Sequence, residues 1–482
     1  MHSDRESGQL TIENKNRYYL LIVFRLFHLA SHLCIIMKIR STVITILVFA
    51  SIISYAQKSV TEYAMFHGDP KHLGNFPSND FKTIGEVKWK FKTEGKIFSS
   101  PAVLDGIAFI GSEDDNLYAI NVKTGKQKWK FKTAGAVHSS PAVYHNRVYF
   151  GSFDGYYYAV DINTGRQKWK FKTGGEKFMG GKAYWGMQPS DMFMNDLWDF
   201  FLSSPVVGAE NGDDIVYFGS SDGNVYAVRA KDGVLKWKFK TNGIIHTSPT
   251  LYNGMIYIGS WDTWFYAIDA QTGKEKWKFK TGDQPAMSGI QASATVENNV
   301  VYFSARDAHL YALNATDGKL LWKYDAENSW ILSTAAIKDN LLYVGTSDTY
   351  LLLALDTKTG HEKFRFKTNG YVYGSPAIAG SMAYFGDFTG KMYALDLNTA
   401  GKRWTTFSTD SRHKNAAIVL KNDTLSFSYT ANGADLNNYY ANKKVMDDFY
   451  TLGPIVSSPA INNGVLYFGS ADGYLYALKL IE

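Results

Sequence analysis

Short runs of apolar and polar residues, roughly four to seven long and rich in β-branched and aromatic side chains, follow one another along most of this chain, each bounded by Gly, Asn, Asp or Pro. Such runs predict strands joined by tight turns. The cleanest unit, residues 139–173, reads Ser-Ser-Pro-Ala-Val, a turn, residues 147–152, Asp154-Gly155, residues 156–161, Thr164-Gly165 and a strand around Trp169. Four strands result. Asp-Gly recurs at Asp222-Gly223 and Asp472-Gly473, supplying the positive-φ residue a tight hairpin needs. In the fourth strand the pattern alternates: Trp129 and Phe131 share one face, Lys128, Lys130 and Lys132 the other, which sends the aromatics into packing and the lysines into water.

That fourth strand recurs with its aromatic at Trp89, Trp129, Trp169, Trp237, Trp277, Trp322, Phe364 and Trp404, spaced by 40, 40, 68, 40, 45, 42 and 40 residues. The period is that of a four-stranded propeller blade. An inner marker, Gly or Ser, falls at Gly111, Gly151, Gly219, Gly259, Ser304, Gly345, Gly386 and Gly469. Inner and outer series are out of phase, because Trp89 precedes the first inner unit and the last unit ends without an aromatic outer strand of its own. The sequence therefore predicts an all-β, eight-bladed propeller of four-stranded antiparallel blades, in which residues 87–93 complete the blade built by residues 457–482. Such closure leaves no exposed blade interface. No long amphipathic helix pattern is read after residue 60.

At Ala159-x-Asp161-x-x-Thr164-Gly165-x-x-x-Trp169 and Ala267-x-Asp269-x-x-Thr272-Gly273-x-x-x-Trp277 the chain resembles the tryptophan-docking motif of pyrroloquinoline-quinone (PQQ) repeat propellers. Variants stand at Asn121/Trp129, Asn314/Trp322, Asp356/Phe364, Asp396/Trp404 and Arg229/Trp237, and residues 63–74 resemble the segment that leads into such propellers, so the resemblance spans residues 63–482. It implies the fold directly and function only in outline, since these propellers include PQQ- and calcium-dependent alcohol or sugar dehydrogenases and non-catalytic scaffolds of the BamB type. The dehydrogenases typically hold PQQ over a Trp floor, often under a vicinal cysteine pair. This chain has no such pair, no haem-attachment motif and no recognisable calcium set, so the reading leans away from an enzyme and no catalytic residue or metal ligand is assigned. If it is an enzyme, PQQ and calcium are the cofactors the resemblance implies.

One ring accounts for most of the 482 residues. Residues 1–56 read as a leader, 57–84 as a lead-in segment and 85–482 as the propeller, with insertions at about 174–202 and 405–455. Within the leader, residues 37–56 look like a secretory signal: Met37 with Lys38 and Arg40, an apolar stretch over residues 42–53, and Ser54-Tyr55-Ala56 before Gln57. Residues 1–36 carry another apolar stretch, read as chain upstream of the signal's own methionine, with an uncleaved membrane anchor as the alternative. Export to the periplasm, the outer-membrane periphery or the extracellular space is the expectation either way. Cys34, the single cysteine, lies in the leader, and Leu33 before it does not suit a lipoprotein signal.

A net charge of +6 invites a nucleic-acid reading, but the lysines recur at the same strand positions as a perimeter belt, without a dense basic face interleaved with stacking platforms. Nucleic acid is therefore not expected. Peripheral association with an anionic membrane surface stays open, and a monomer is expected.

Both insertions fall in loops that join an outer strand to the next blade's inner strand, the face where propellers bind ligands. The first carries Phe178, Met179, Trp185, Met187, Met192, Phe193, Met194, Trp198 and Phe200 with Asp191, Asp196 and Asp199. Two alternatives are kept: a lid that packs on itself over the channel, or a rim that contacts a ligand or partner. Residues preceding the inner strands, namely Phe98, His138, Leu202, His246, Gln291, Trp330, Tyr373 and Val456, should point to the axial mouth. The candidate contact residues are thus Trp185, Met187, Asp191, Asp196, Trp198, His138, His246, Gln291, Trp330 and Tyr373. The expected role is a binding or scaffolding module for a protein partner in the cell envelope. A small molecule or a carbohydrate stacked on exposed Trp185, Trp198 and Trp330 is the alternative ligand.

Overall fold

Eight antiparallel blades of four strands each, two of them extended by a short fifth strand at Tyr63–Ala64 and Asn75–Phe76, follow one another around an axis in the computed structural model, which describes residues 63–77, 81–210 and 212–482. The leader and its signal lie outside the described residues. Blade 1 consists of Ala102–Leu104, Ile107–Gly111, Asn116–Asn121 and Gln127–Lys132, and the later blades repeat that order. Blade 8 takes its inner strands from Ala460–Asn462, Val465–Gly469 and Tyr474–Ile481 and its outer strand from the other end of the ring, Thr83–Lys92, with Trp89 opposite Ala477. The phase predicted from the unpaired Trp89 strand is the observed one.

Neighbouring blades are locked by the outer-strand tryptophans. Trp129 Nε1 donates to the carbonyl of Ile162 in blade 2 at 3.0 Å, and Trp89, Trp169, Trp237, Trp277 and Trp322 donate to Val122, Ala230, Ala270, Ala315 and Thr357 at 2.8–3.0 Å. Each indole lies under the glycine of the next blade's outer turn. Gly165 shows why glycine is needed there: its φ is +68°, and a Cβ would sit 2.7 Å from the Trp129 ring. A register shift beside Ala159 in blade 2 aims Trp169 at the corresponding turn of blade 3, at Gly233.

Blade 7 departs from the pattern. An extra residue, Ala400, precedes Gly401, the register shift is missing, and Trp404 pairs with Leu395 while Thr405 takes the place opposite Ala394. Trp404 is consequently 50% exposed, against the buried position expected from its place in the repeat. The reason lies in the ring closure. Blade 8 has no turn between third and outer strands, because its outer strand arrives from Thr83–Lys92, so there is no docking glycine for Trp404; Phe81 packs against Gly464 there instead.

Toward the axis, a belt of hydrogen bonds ties the inner strands together. The backbone N–H of Ser100 donates to Ser140 Oγ, Ser140 to Ser204, Ser204 to Ser248 and Ser248 to Ser293; Thr334 donates to Ser375, Ser375 to Ser458 and Ser458 back to Ser100, all at 2.8–3.0 Å. The lead-in segment crosses the base of the ring. Its carbonyls at Pro70, Lys71, Leu73 and Gly74 accept from Leu251, Val296, Ile337 and Ile378 at 2.7–3.1 Å, satisfying innermost edges of blades 4 to 7.

The second insertion is helical, with helices Asp410–Val419, Phe427–Ala431 and Tyr439–Tyr450. This corrects the expectation of no amphipathic helix after residue 60: Tyr439, Val445, Met446 and Phe449 form the buried stripe of the last helix, a pattern hidden by its Asn, Lys and Asp neighbours. Among the described residues no helix is long and apolar enough to cross a membrane.

Candidate functional site

The two insertions meet over one end of the axis and form a single cap. Gly180–Lys182 pairs with Phe193–Asn195 as a small ribbon, and the tip between them docks on the second insertion, where Gln188 N–H donates to Asn437 O at 2.7 Å and Tyr439 N–H to Gln188 O at 2.9 Å. Beneath the ribbon the chain dives inward. Trp198 and Phe200 bury themselves among Phe98, Tyr371, Tyr373 and Phe388, with Val445, Met446 and Phe449 of the second insertion closing over them. Trp198 meets Tyr371 edge-on at 5.2 Å, Phe200 meets Tyr373 and Phe388 tilted at 5.8 Å, and Phe98 stacks on Phe200 at 5.6 Å.

Two buried polar clusters fasten the cap to the ring. In the first, Arg306 of blade 5 pairs with Asp196 of the cap, and its Nε and Nη2 donate to Gln291 Oε1 at 2.9 and 2.7 Å. The guanidinium lies between Trp261 and Trp330, 4.4 Å from each ring centre, and Gln291 Nε2 donates to Trp198 O at 3.0 Å. All three guanidinium nitrogens donate a hydrogen bond, and two indoles flank the cation. Burial lifts the Asp196 carboxyl above its ordinary range, and the Arg306 charge pulls the other way.

In the second cluster, His246 Nδ1 lies 2.8 Å from Asp199 Oδ1 and its Nε2 2.8 Å from Ser221 Oγ. The succession Ser221–His246–Asp199 has the spacing of a nucleophile relay. All three members are buried, at 3%, 1% and 2% exposure. Burial lowers the His246 pKa, and Asp199 with Glu176 raises it by more than burial lowers it. Asp199 Oδ2 accepts the Met179 N–H at 2.7 Å, and Glu176 accepts from Ser220 Oγ and Ser221 N–H, both at 2.7 Å, so the cluster pins the start of the insertion to blade 3. His138 completes the attachment, its Nδ1 lying 2.8 Å from Phe200 O and its Nε2 3.6 Å from Glu113.

His138, His246, Gln291, Asp196, Trp198 and Tyr373 are therefore brought together as buried residues that seal the axis. Met187 is half-buried near the cap tip, while Asp191 and Trp185 are exposed. Two placements correct the sequence reading. Trp198 is buried rather than an exposed stacking platform, and Trp330, half-buried against Arg306, is not the axial residue of its blade; Leu332, two positions on, lines the axis. Of the three tryptophans offered for carbohydrate stacking, only Trp185 is exposed. Arg306 and Trp261 were missed, although aligning the blades gives the signal: Glu113, Phe153, Ser221, Trp261, Arg306 and Phe388 occupy one position of the repeat, and Arg306 is its one cation.

The axial space that remains is a cavity of about 20 Å³ between the base, at Phe66, and the cap, at Phe201 and Leu202. A drug-sized or cofactor-sized group needs on the order of 300 Å³ or more. Among the described residues no group of three or more His, Cys, Asp or Glu is placed to hold a metal ion. The residues present thus do not fit PQQ with calcium at the axis, and no chemical step is derived through that pair. The cap's outer side is different in character, exposing Trp185, Phe193 and Tyr440 at 41%, 59% and 59%.

The sequence model described as outer membrane protein assembly factor BamB matches residues 81–183, 179–326 and 288–481. BamB from Moraxella catarrhalis is 15% identical over 83% of this chain and 98% of its own, with a TM-score of 0.57. Quinohemoprotein alcohol dehydrogenase from Comamonas testosteroni is 13% identical over 86% of this chain and 80% of its own, TM-score 0.63. A europium-containing methanol dehydrogenase is 13% identical over 86% of this chain and 98% of its own, TM-score 0.61. At these identities the three structures share the fold with this chain. No curated protein matches the sequence. From residue 81 onward, then, the chain belongs to the PQQ-repeat propeller family whose sequence model is described as outer membrane protein assembly factor BamB.

Proposed function

We propose that this protein is an exported, non-catalytic scaffold of the cell envelope that holds a protein partner on the outer side of its cap, in a role related to outer-membrane protein assembly. One observation carries the reading: the axis, where a cofactor would sit, is filled by the cap's own Trp198 and Phe200, while Trp185, Phe193 and Tyr440 of the cap are exposed. Interface energy concentrates in a few aromatic anchors of this kind. The family match supports the assembly role, and the calcium- and quinone-dependent alternative is left with the likeness of fold alone.

The test is complementation in cells that lack the gene, read as outer-membrane β-barrel content. The wild-type chain should restore it, and the triple variant Trp185→Ser, Phe193→Ser, Tyr440→Ser should not, while melting within a few degrees of wild type. A triple variant that complements fully would remove the cap face from the account. Stoichiometric PQQ uptake with calcium, together with reduction of an artificial dye by alcohols or sugars, would replace the scaffold by a dehydrogenase.

A further inference from the structure

The outer edge of the ring is unevenly charged. Blades 8, 1, 2, 3 and 4 are consecutive, and the outer strand of each exposes lysine at three alternating positions: 88, 90 and 92; 128, 130 and 132; 168, 170 and 172; 236, 238 and 240; 276, 278 and 280. Protection of strand edges is the first explanation for such lysines. It does not account for their distribution. Blade 5 leaves Leu320 and Leu321 exposed at 45% and 50% on its outer strand, and blade 7 carries Thr405 and Thr406 there without a cation. Blade 6 does carry cations, but Lys363 pairs with Asp356 and Arg365 with Glu362 and Glu327, leaving Lys367 as the one cation of that strand without a carboxylate partner among the described residues. Edges that must only be kept from pairing would all need the same charge.

Within the arc, neutralisation is uneven too. Blade 4 is compensated throughout, Lys276 pairing with Asp269, Lys278 with Glu275 and Lys280 with Asp283, whereas blade 8 has one such pair, Lys90 with Asp410. On blades 8, 1, 2 and 3 two lysines of each three, Lys88 and Lys92, Lys128 and Lys130, Lys170 and Lys172, and Lys238 and Lys240, have no carboxylate within ion-pair distance among the described residues. Of these, Lys130 stands over a tyrosine of its own blade, 5.9 Å from the Tyr118 ring centre, as does Lys170, 4.4 Å from that of Tyr156. The strand's Trp and Phe turn into the blade interface, so no exposed aromatic lies among the lysines.

We infer that the outer edge of blades 8, 1, 2 and 3 docks on an anionic lipid bilayer. Ammonium groups on flexible stems, repeated without arginine forks or a shaped pocket, suit the diffuse field of many headgroup phosphates better than the fixed carboxylates of one protein surface. This inference does not depend on the cap or on its partner.

Sedimentation of the purified full chain with vesicles tests it. Phosphatidylglycerol–phosphatidylcholine vesicles should bind it at low salt far better than phosphatidylcholine alone, and binding should fall steeply by 0.3 M salt as the Debye length contracts. Each lysine near such a surface contributes about fivefold, so Lys130→Gln, Lys170→Gln, Lys238→Gln together should lower partitioning about a hundredfold. The matching arginine variant should bind as wild type, and Lys323→Gln, Lys363→Gln, Lys367→Gln on blades 5 and 6 should bind unchanged. The inference is overturned if the three-glutamine variant binds as wild type, if the blade 5 and 6 variant loses binding equally, or if anionic lipid gives no gain. It is equally overturned if soluble polyglutamate binds where the vesicles do not, which would make the ligand an acidic protein.

Discussion

Arg306→Met isolates the fastening of the cap. The substitution keeps an apolar stem between Trp261 and Trp330 but removes the cation 4.4 Å from each ring and both hydrogen bonds to Gln291. Asp196, whose side chain is 1% exposed, keeps the Trp198 N–H at 2.9 Å and a Tyr184 hydroxyl at 3.5 Å and loses its counter-charge. Stranding one member of a buried pair costs about 3–5 kcal/mol. The ring's belt and tryptophan docks do not involve Arg306, so this cost falls on opening of the cap rather than on melting of the ring. A penalty of about 4 kcal/mol would raise the open population of the cap several hundredfold, up to the limit set by its own stability. Native-state proteolysis should therefore cut residues 174–202 at least a hundredfold faster, while the circular-dichroism melt of the ring moves little. Adding Asp196→Leu should recover most of the protection, because an apolar replacement of a whole buried pair is close to neutral. Cleavage of Arg306→Met at the wild-type rate, or a double variant no better protected than the single one, would refute the clamp.

Tryptophan docking makes a sharp contrast: Trp129→Ala should cost about 3–5 kcal/mol in chemical denaturation, and Trp404→Ala, at 50% exposure and with no docking glycine, under about 1 kcal/mol. Equal losses would contradict the register drawn for blade 7. The lead-in segment at the base of the ring should be acid-sensitive at His72, since burial, with His67 beside it, lowers the His72 pKa from 6.5 to about 3. Because the folded value is depressed, the unfolded chain takes up a proton first as pH falls below 6.5, and stability drops by about 1.4 kcal/mol per pH unit on account of His72. His72→Asn should remove that part of the slope between pH 6 and 4, and an unchanged slope would mean the ring titrates normally in the fold.

The ring was legible because its rules are local and repeated. Alternation placed Trp129 and Phe131 against the next blade, and the surplus Trp89 strand revealed the closure. Trp404 misled for a reason that is global: a residue that obeys the repeat still needs a docking partner, and closure by Thr83–Lys92 removes it from blade 8. The cap was legible only as aromatic composition. Its fastening depends on Asp196 meeting Arg306 and Asp199 meeting His246, pairs separated by 110 and 47 residues, and no single repeat contains both partners. His138, His246 and Gln291, expected at the axial mouth, line the axis, and each has one polar atom on the cap, at Phe200 O, Asp199 and Trp198 O.

The exterior of the cap poses the converse case. Ala183 and Trp185 both lie in the left-handed region, at φ 46° and 58°, where a non-glycine residue costs roughly 1–2 kcal/mol. Gly186 stands beside Trp185, yet the strained position holds an exposed indole stacked on Tyr184 at 5.5 Å and edge-on to Trp330 at 5.3 Å. Those contacts recover roughly 0.5–1.5 kcal/mol. Trp185→Gly relieves the backbone and deletes the contacts together, so the two terms nearly cancel and the melting temperature should stay within about 2 °C of wild type. Partner capture should nevertheless fall at least tenfold in a crosslinking pulldown, because the exposed ring is lost. A variant that captures its partner normally would show that Trp185 serves only the cap's own packing. A fall in both readings together would assign the strain to the fold and not to recognition.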